Sequence, residues 1–251
     1  MRRLLPDPGP NSDAGLDDAG LVAAYVLPAG RSLRVNFITS LDGATTIDGR
    51  SGGLGTPGDL HVFRVLRALA DVVLVGAGTA AAEGYRAVEA DSPVGWIRAS
   101  IGRPPTMPIA VVSRRASIDP GSGLVAGAAS PTILVTCAAA DPDRRAALSA
   151  AGVTVLVCGD DDVDLPTAVE RLAELGHEHV LCEGGASLLR SALTADVVDE
   201  LDLSIAPALV GSGPRLLDGP AGRPVHLELR QLLEEDGVLF GRYRVRRSAD
   251  Q

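Results

Sequence analysis

The chain has 251 residues, 46% of them hydrophobic, and a formal net charge of −9. That length supports one substantial core, and the charge excludes a general nucleic-acid surface, which needs clustered positive charge. All 23 basic residues are Arg, which excludes a lysine Schiff base and a Walker-type phosphate lysine.

Residues 1–30 are rich in Pro, Gly and Asp and read as an N-terminal arm; residues 31–251 read as a single domain. A strand is expected from Leu33 to Ile38, running into the loop Thr39-Ser40-Leu41-Asp42-Gly43. Residues 48–55 hold four glycines, Gly49, Gly52, Gly53 and Gly55, a composition that suits a mobile flap. Thr56-Pro57-Gly58-Asp59 is a helix start: Thr56 as N-cap, Pro57 at the first turn, and Asp59 placed to complete a capping box. Leu60, Phe63, Leu66, Arg67 and Ala70 continue at helical spacing. The apolar run Val72–Val75 predicts a strand, and the small-residue loop Gly76-Ala77-Gly78-Thr79 follows it.

Further strands are predicted at 108–112, 132–136, 153–157, 179–182, 199–205, 225–233 and 238–245, and helices at 142–151, 165–175 and 186–194. The alternation implies an α/β fold with a mostly parallel sheet and helices on both faces. The last two strands, meeting at Glu235-Asp236-Gly237, read as an antiparallel hairpin. Cys137, Cys158 and Cys182 lie in or beside apolar runs and read as buried thiols. No zinc spacing occurs and no metal is expected. No 18-residue apolar run and no cleavable hydrophobic signal are present, so a cytoplasmic protein off the membrane is expected.

The peptide Glu183-Gly184-Gly185-Ala186-Ser187-Leu188-Leu189 follows the predicted strand at 179–182 and opens a helix. A strand ending in Gly-Gly before a helix presents bare N–H groups and a positive dipole end to an anion. With the Gly76–Thr79 loop after another strand, it points to a bound dinucleotide.

Four blocks, taken in order, resemble the RibD C-terminal-domain reductases of the riboflavin pathway. They are Asn36–Gly43, His61–Thr79, Glu183–Leu188, and Val198–Leu201 with Ala206–Gly211; together they span about residues 34–245. The resemblance implies a dihydrofolate-reductase-like fold, NADPH as hydride donor and a homodimer. The implied reaction turns the ribosyl group of a phosphoribosylaminopyrimidine into a ribityl chain, with 5-amino-6-(5-phosphoribosylamino)uracil the expected substrate. Full-length RibD also carries a zinc deaminase domain with paired H-x-E and P-C-x-x-C signatures; that pair does not occur here, so a stand-alone reductase is expected.

The implied cofactor residues are Thr39, Gly78, Thr79, Gly184, Gly185, Ala186 and Leu188. Ser113, Arg114 and Arg115 are candidates for the 2′-phosphate, since guanidinium groups make forked bonds to phosphate. The implied substrate residues are Ser40, Thr56, Phe63, Arg64, Arg67 and Glu183; Glu183 equally suits orienting the glycine loop or a plain surface role. Family members usually carry Lys or Arg after Ser-Leu-Asp-Gly, where this chain has Ala44, leaving Arg64, Arg67 or Arg86 to compensate. They also commonly carry Asp-Asp-Pro-x-Leu-Thr where this chain has Ala82-Glu83-Gly84-Tyr85-Arg86.

Pro57-Gly58-Asp59-Leu60-His61-Val62-Phe63 further resembles the substrate helix of dihydrofolate reductases, pattern P-x-D-L-x-x-F. Asp59 and Phe63 share a helix face, and Arg67 extends it; capping for Asp59 and core packing for Phe63 are the alternatives. Asp59 or Asp42 would polarise the substrate or deliver the proton. The expected activity is therefore NADPH-dependent reduction of a C=N group in a pyrimidine or pterin. Dihydrofolate reduction and a nucleotide sensor without turnover are the alternatives.

Overall fold

The computed structural model describes residues 1–6, 15–217 and 224–247. In chain order the elements are β1 (Arg2–Leu5), α1 (Asp18–Tyr25), β2 (Ser32–Ser40), α2 (Pro57–Leu69), β3 (Val72–Gly76), α3 (Ala77–Ala82), α4 (Pro93–Ser100), β4 (Ile109–Val112), β5 (Ile133–Thr136), α5 (Pro142–Ala150), β6 (Thr154–Val157), α6 (Leu165–Glu174), β7 (His179–Cys182), α7 (Ala186–Thr194), β8 (Glu200–Ala206), β9 (Leu227–Glu235) and β10 (Val238–Val245). One ten-stranded sheet runs β1-β9-β10-β8-β2-β7-β3-β4-β5-β6. From β8 to β6 every pairing is parallel, while β1, β9 and β10 pair antiparallel.

The parallel half is covered on both faces, so its central strands read as continuous apolar runs rather than alternating ones. In β3, Val73 and Val75 enter one core with Val62, Val65 and Leu66 of α2 and Leu21 and Tyr25 of α1. Val72 and Leu74 enter the other core, with Leu165, Ala168 and Leu172 of α6 and Leu188, Leu189 and Ala192 of α7. The hairpin β9–β10 turns on Asp236 (φ 51°) and Gly237 (φ 80°). Two positive-φ residues are what a two-residue type I′ turn requires, and Asp-Gly supplies them.

Two expectations change. The arm contains regular structure: β1 pairs with β9 at the sheet edge, and α1 buries Leu21, Ala24 and Tyr25. Its residues 7–14 lie outside the described residues. The capping box at α2 is half formed. Thr56 accepts the Asp59 N–H at 3.2 Å, but hydrogen bonding ties the Asp59 carboxyl to Ser204 on β8. Tertiary contact overrides the local cap because Asp59 lies on the face of α2 turned toward the cavity described next.

Candidate active site

The two glycine loops meet. They follow β3 and β7, which are adjacent and parallel, so both emerge at the same sheet edge, where open α/β sheets bind ligands. The Gly76 N–H donates to the Gly184 carbonyl at 2.8 Å. Gly184 has φ 85°, and a Cβ on it would collide with the Phe37 ring. A Cβ on Gly185 would stand 2.7 Å from Thr79 Oγ1. The peptide between the two glycines is cis. Gly185 is the N-cap of α7 and offers no side-chain cap, leaving the first N–H groups of that helix for another acceptor. In front of Gly78 no atom lies within 4 Å of a Cβ position.

A cavity of about 700 Å3 opens beside these loops. Its walls include Asn36, Phe37 and Ile38 of β2, Thr45 and Thr46, Asp59 and Phe63 of α2, and Thr79, Tyr85, Glu183 and Gly185. The glycine-rich segment lies over it: Gly49, Ser51, Gly52 and Gly55 line the cavity. The Ser51 N–H donates to Glu83 at 2.9 Å. Burial pushes the Asp59 carboxyl above its ordinary range, and the Ser204 hydrogen bond opposes that shift. A carboxyl disposed to hold its proton inside a ligand-sized cavity suits an acid or a hydrogen-bond donor.

Glu183, 8% exposed, is held on both oxygens. Arg67 grips it with two 2.7 Å bonds, Nε to Oε1 and Nη2 to Oε2, and the Tyr85 hydroxyl donates to Oε2 at 2.6 Å. The Arg67 guanidinium stands 4.3 Å from the Phe63 ring centre and 5.2 Å from that of Tyr85. Burial raises the Tyr85 hydroxyl well above its ordinary pKa, so it stays a donor. Arg67, Phe63 and Tyr85 also line an adjoining chamber of about 520 Å3 that contains Arg86.

The expected residues divide into groups. Asp59, Thr56, Phe63, Thr79, Glu183, Gly185 and Ala186 line the main cavity, and Gly78 and Gly184 belong to the paired loops. Asp42 is not among the residues that line the main cavity; its carboxylate accepts from the Ser40 hydroxyl (2.6 Å) and the N–H groups of Val210 (3.1 Å) and Gly211 (2.8 Å). Those bonds, led by Ser40, hold its pKa far below the usual carboxylate range. Its bonds tie the turn after β2 to the 210–211 segment. The Ser40 hydroxyl also accepts the Ala44 N–H at 2.9 Å, and Ser40 is not among the residues that line the main cavity. Thr39 is 5% exposed and absent from the described cavity wall. Leu188 packs in the core beneath α7.

Ser113 follows β4, the neighbour of β3, as expected, but its buried hydroxyl bonds Ser117 N (2.9 Å) and Ser117 Oγ (3.0 Å). Arg114 and Arg115 are exposed and form no salt bridge among the described residues. Arg64 lines neither chamber, and Arg67 is committed to Glu183. Arg86 lines the side chamber and forms no salt bridge among the described residues.

Three residues near the site escaped the sequence reading. Tyr85 sits in the segment that departs from the family pattern. Arg215 bridges the backbone of Ala44 and donates to the Asp42 carbonyl, a contact between residues far apart in sequence. Ser204 had a signal: Glu200, Asp202 and Ser204 recur at every second position of β8, and all three are buried. A polar period of two in a central strand marks a buried polar row.

Comparison with known proteins gives a consistent result. Residues 31–238 match the family described as the RibD C-terminal domain. The 2,5-diamino-6-ribosylamino-4(3H)-pyrimidinone 5′-phosphate reductase of Methanothermobacter thermautotrophicus is 32% identical over 187 residues, covering 71% of this chain and 82% of that protein. The protein of the same name from Archaeoglobus fulgidus is 27% identical over 188 residues, covering 74% and 85%. The crystal structure of a pyrimidine reductase-like protein from Corynebacterium diphtheriae superposes with a TM-score of 0.80 at 27% identity, covering 93% of this chain and all of that one.

Proposed function

The chain belongs to the RibD C-terminal domain family, and from that premise we propose that it is an NADPH-dependent reductase of a phosphoribosylaminopyrimidine in riboflavin biosynthesis. The observation that carries the reading is one continuous crevice: the paired glycine loops open directly into the cavity walled by Asp59 and Phe63. The names of the relatives favour a pyrimidine over dihydrofolate and add the 2,5-diamino pyrimidinone to the expected uracil as a substrate.

The residues present suit a dinucleotide. The uncapped N–H groups of α7 would donate to a pyrophosphate, for which Gly78 leaves open space, and the exposed Arg114 and Arg115 suit a 2′-phosphate. When bound, the nicotinamide supplies the hydride. The protein's part is to hold the C=N carbon against it, which lowers the barrier by orientation. Phe63 offers a face for the pyrimidine ring, and Asp59 a hydrogen bond or the proton for the nitrogen. Asp59 thus takes the catalytic role, and Asp42 a bracing one. Arg86 in the side chamber is the cation placed to meet the substrate phosphate that position 44 does not. Residues 31–251 form the reductase unit, to which residues 1–30 are joined through β1 and α1, and the protein acts as a cytoplasmic homodimer.

The test is NADPH oxidation with each candidate: the diamino pyrimidinone phosphate, its deaminated uracil counterpart, and 7,8-dihydrofolate. Turnover of either pyrimidine with ribityl product supports the reading. Turnover of dihydrofolate alone would replace it, and no turnover despite NADPH binding would favour a sensor.

A further inference from the structure

The two chambers beside the glycine loops meet at four residues, Ser51, Phe63, Glu83 and Tyr85, which line both. Tyr85 reaches that junction through the turn that ends α3. Gly84 has φ 65°, the left-handed conformation that glycine adopts just past a helix end. The Tyr85 N–H donates to the Ala80 carbonyl at 2.9 Å and the Gly84 N–H to the Ala81 carbonyl at 3.3 Å. That pair of bonds stops the helix and reverses the chain. Tyr85 is thereby brought to the end of β7, where its hydroxyl donates to Glu183 at 2.6 Å.

That bond is not needed to hold the glycine loop. The sheet already holds its backbone: the Glu183 N–H donates to the Leu74 carbonyl at 3.0 Å, and the Gly184 carbonyl accepts the Gly76 N–H at 2.8 Å. What Tyr85 and Arg67 fix is the Glu183 side chain. Two donors from Arg67 and one from Tyr85 fill three of a carboxylate's roughly four acceptor sites. Arg67 also balances its charge. Glu183 belongs to the wall of the main cavity. It stands there locked and neutralised, with one acceptor site to spare on Oε1. Such a group suits a neutral donor, a hydroxyl, better than a second cation.

We propose that Tyr85 is a positioning residue of the reductase, holding Glu183 at the chamber junction so that its spare acceptor site meets a hydroxyl of the substrate's sugar. This rests on the functional reading above. With the pyrimidine on Phe63 and the phosphate at Arg86, the ribosyl group between them crosses the junction that Tyr85 lines.

The test is steady-state kinetics of Tyr85→Phe on the diamino pyrimidinone phosphate or its uracil counterpart, whichever the wild type reduces faster. Phe keeps the ring beside Arg67 and removes only the hydroxyl. KM for the pyrimidine should rise about tenfold, the scale of one charge-assisted bond, with a smaller change in kcat. NADPH affinity, measured by calorimetry, should stay at the wild-type value. A purely structural hydroxyl would lower the melting temperature and leave KM alone. Adding Tyr85→Phe to Glu183→Gln should cost no further kcat/KM, because the hydroxyl acts only through Glu183. Tyr85→Phe alone remains decisive if Glu183→Gln does not fold. An active wild type whose KM is unmoved by Tyr85→Phe overturns this inference alone, as does a loss of NADPH affinity in step with KM or an additive loss in the double variant. A wild type that reduces neither pyrimidine overturns the functional reading and this inference with it.

Discussion

At the scale of single residues, Asp59 separates two roles that its position in α2 allowed. Thr56 already caps the helix through the Asp59 N–H, so the carboxyl is not needed for capping. Asp59→Asn should therefore cost less than about 1 kcal/mol of stability, as Asn keeps the local polarity. Turnover should fall about 10²-fold, the usual scale for a positioned acid–base group, with NADPH affinity near wild type. Because burial raises the Asp59 pKa, its protonated form persists to higher pH than for an ordinary carboxyl. The rate should then decline as pH rises through that pKa, and the Asn variant should lose this limb. Near-wild-type kcat/KM for Asp59→Asn would remove Asp59 from the mechanism. Arg114 and Arg115 pose the cofactor question: removing a charge-assisted bond costs roughly 1.5–3 kcal/mol, about 10- to 150-fold. At least one of Arg114→Ala and Arg115→Ala should narrow the preference for NADPH over NADH by that factor, read from initial rates with each cofactor. Equal use of both by the wild type would show that neither holds a 2′-phosphate.

At the scale of elements, α2 and the glycine loops divide the work. The helix puts Val62, Val65 and Leu66 into the core and Asp59, Phe63 and Arg67 toward the two chambers. A period of 3.6 lets one helix carry both faces. Among the loop glycines, Gly185 is a poor probe, since a Cβ there already crowds Thr79 and any loss of binding would mix two causes. Gly78 is better, because its Cβ position faces open space. Gly78→Leu should leave thermal stability intact, given that Gly is the weaker helix former, while NADPH affinity measured by calorimetry falls at least about tenfold. Unchanged affinity would put the cofactor elsewhere.

At the scale of the whole molecule, a buried ionic cluster joins the N-terminal segment to the sheet. Arg34 bonds Glu200 and the Tyr25 carbonyl, and Arg242 bonds Glu200 and the Ala24 carbonyl. Asp202 lies within it, 3.0 Å from Arg34 Nε but with neither oxygen in hydrogen-bond geometry. Burial therefore pushes its pKa up, to about 7. The folded state then holds a proton on Asp202 that the unfolded state releases near pH 4. The stability linked to that proton is fully present below pH 4 and lost as pH rises through 7. Denaturant unfolding from pH 5 to 8 should show Asp202→Asn gaining on the wild type as pH increases. A constant difference across that range would show that Asp202 stays ionised.

The sequence by itself determined the parallel α/β plan, the strands at 179–182 and 238–245, the Asp-Gly hairpin and the two glycine loops. Each is written in local periodicity or in turn chemistry, which act over a few residues. It also determined that Asp59 and Phe63 share a face. It did not distinguish Asp59 from Asp42, although both are carboxylates in matching blocks. Only the tertiary structure decided that Asp42 is consumed by backbone N–H groups at 210 and 211 while Asp59 is buried beside an open cavity. The same holds for Arg67, whose partner lies 116 residues away, and for α1, whose helix carries a weak apolar stripe and is fixed by Arg34 and Arg242. Partners so distant leave no periodic trace, because what a charge does depends on which groups the fold brings within a few ångströms of it.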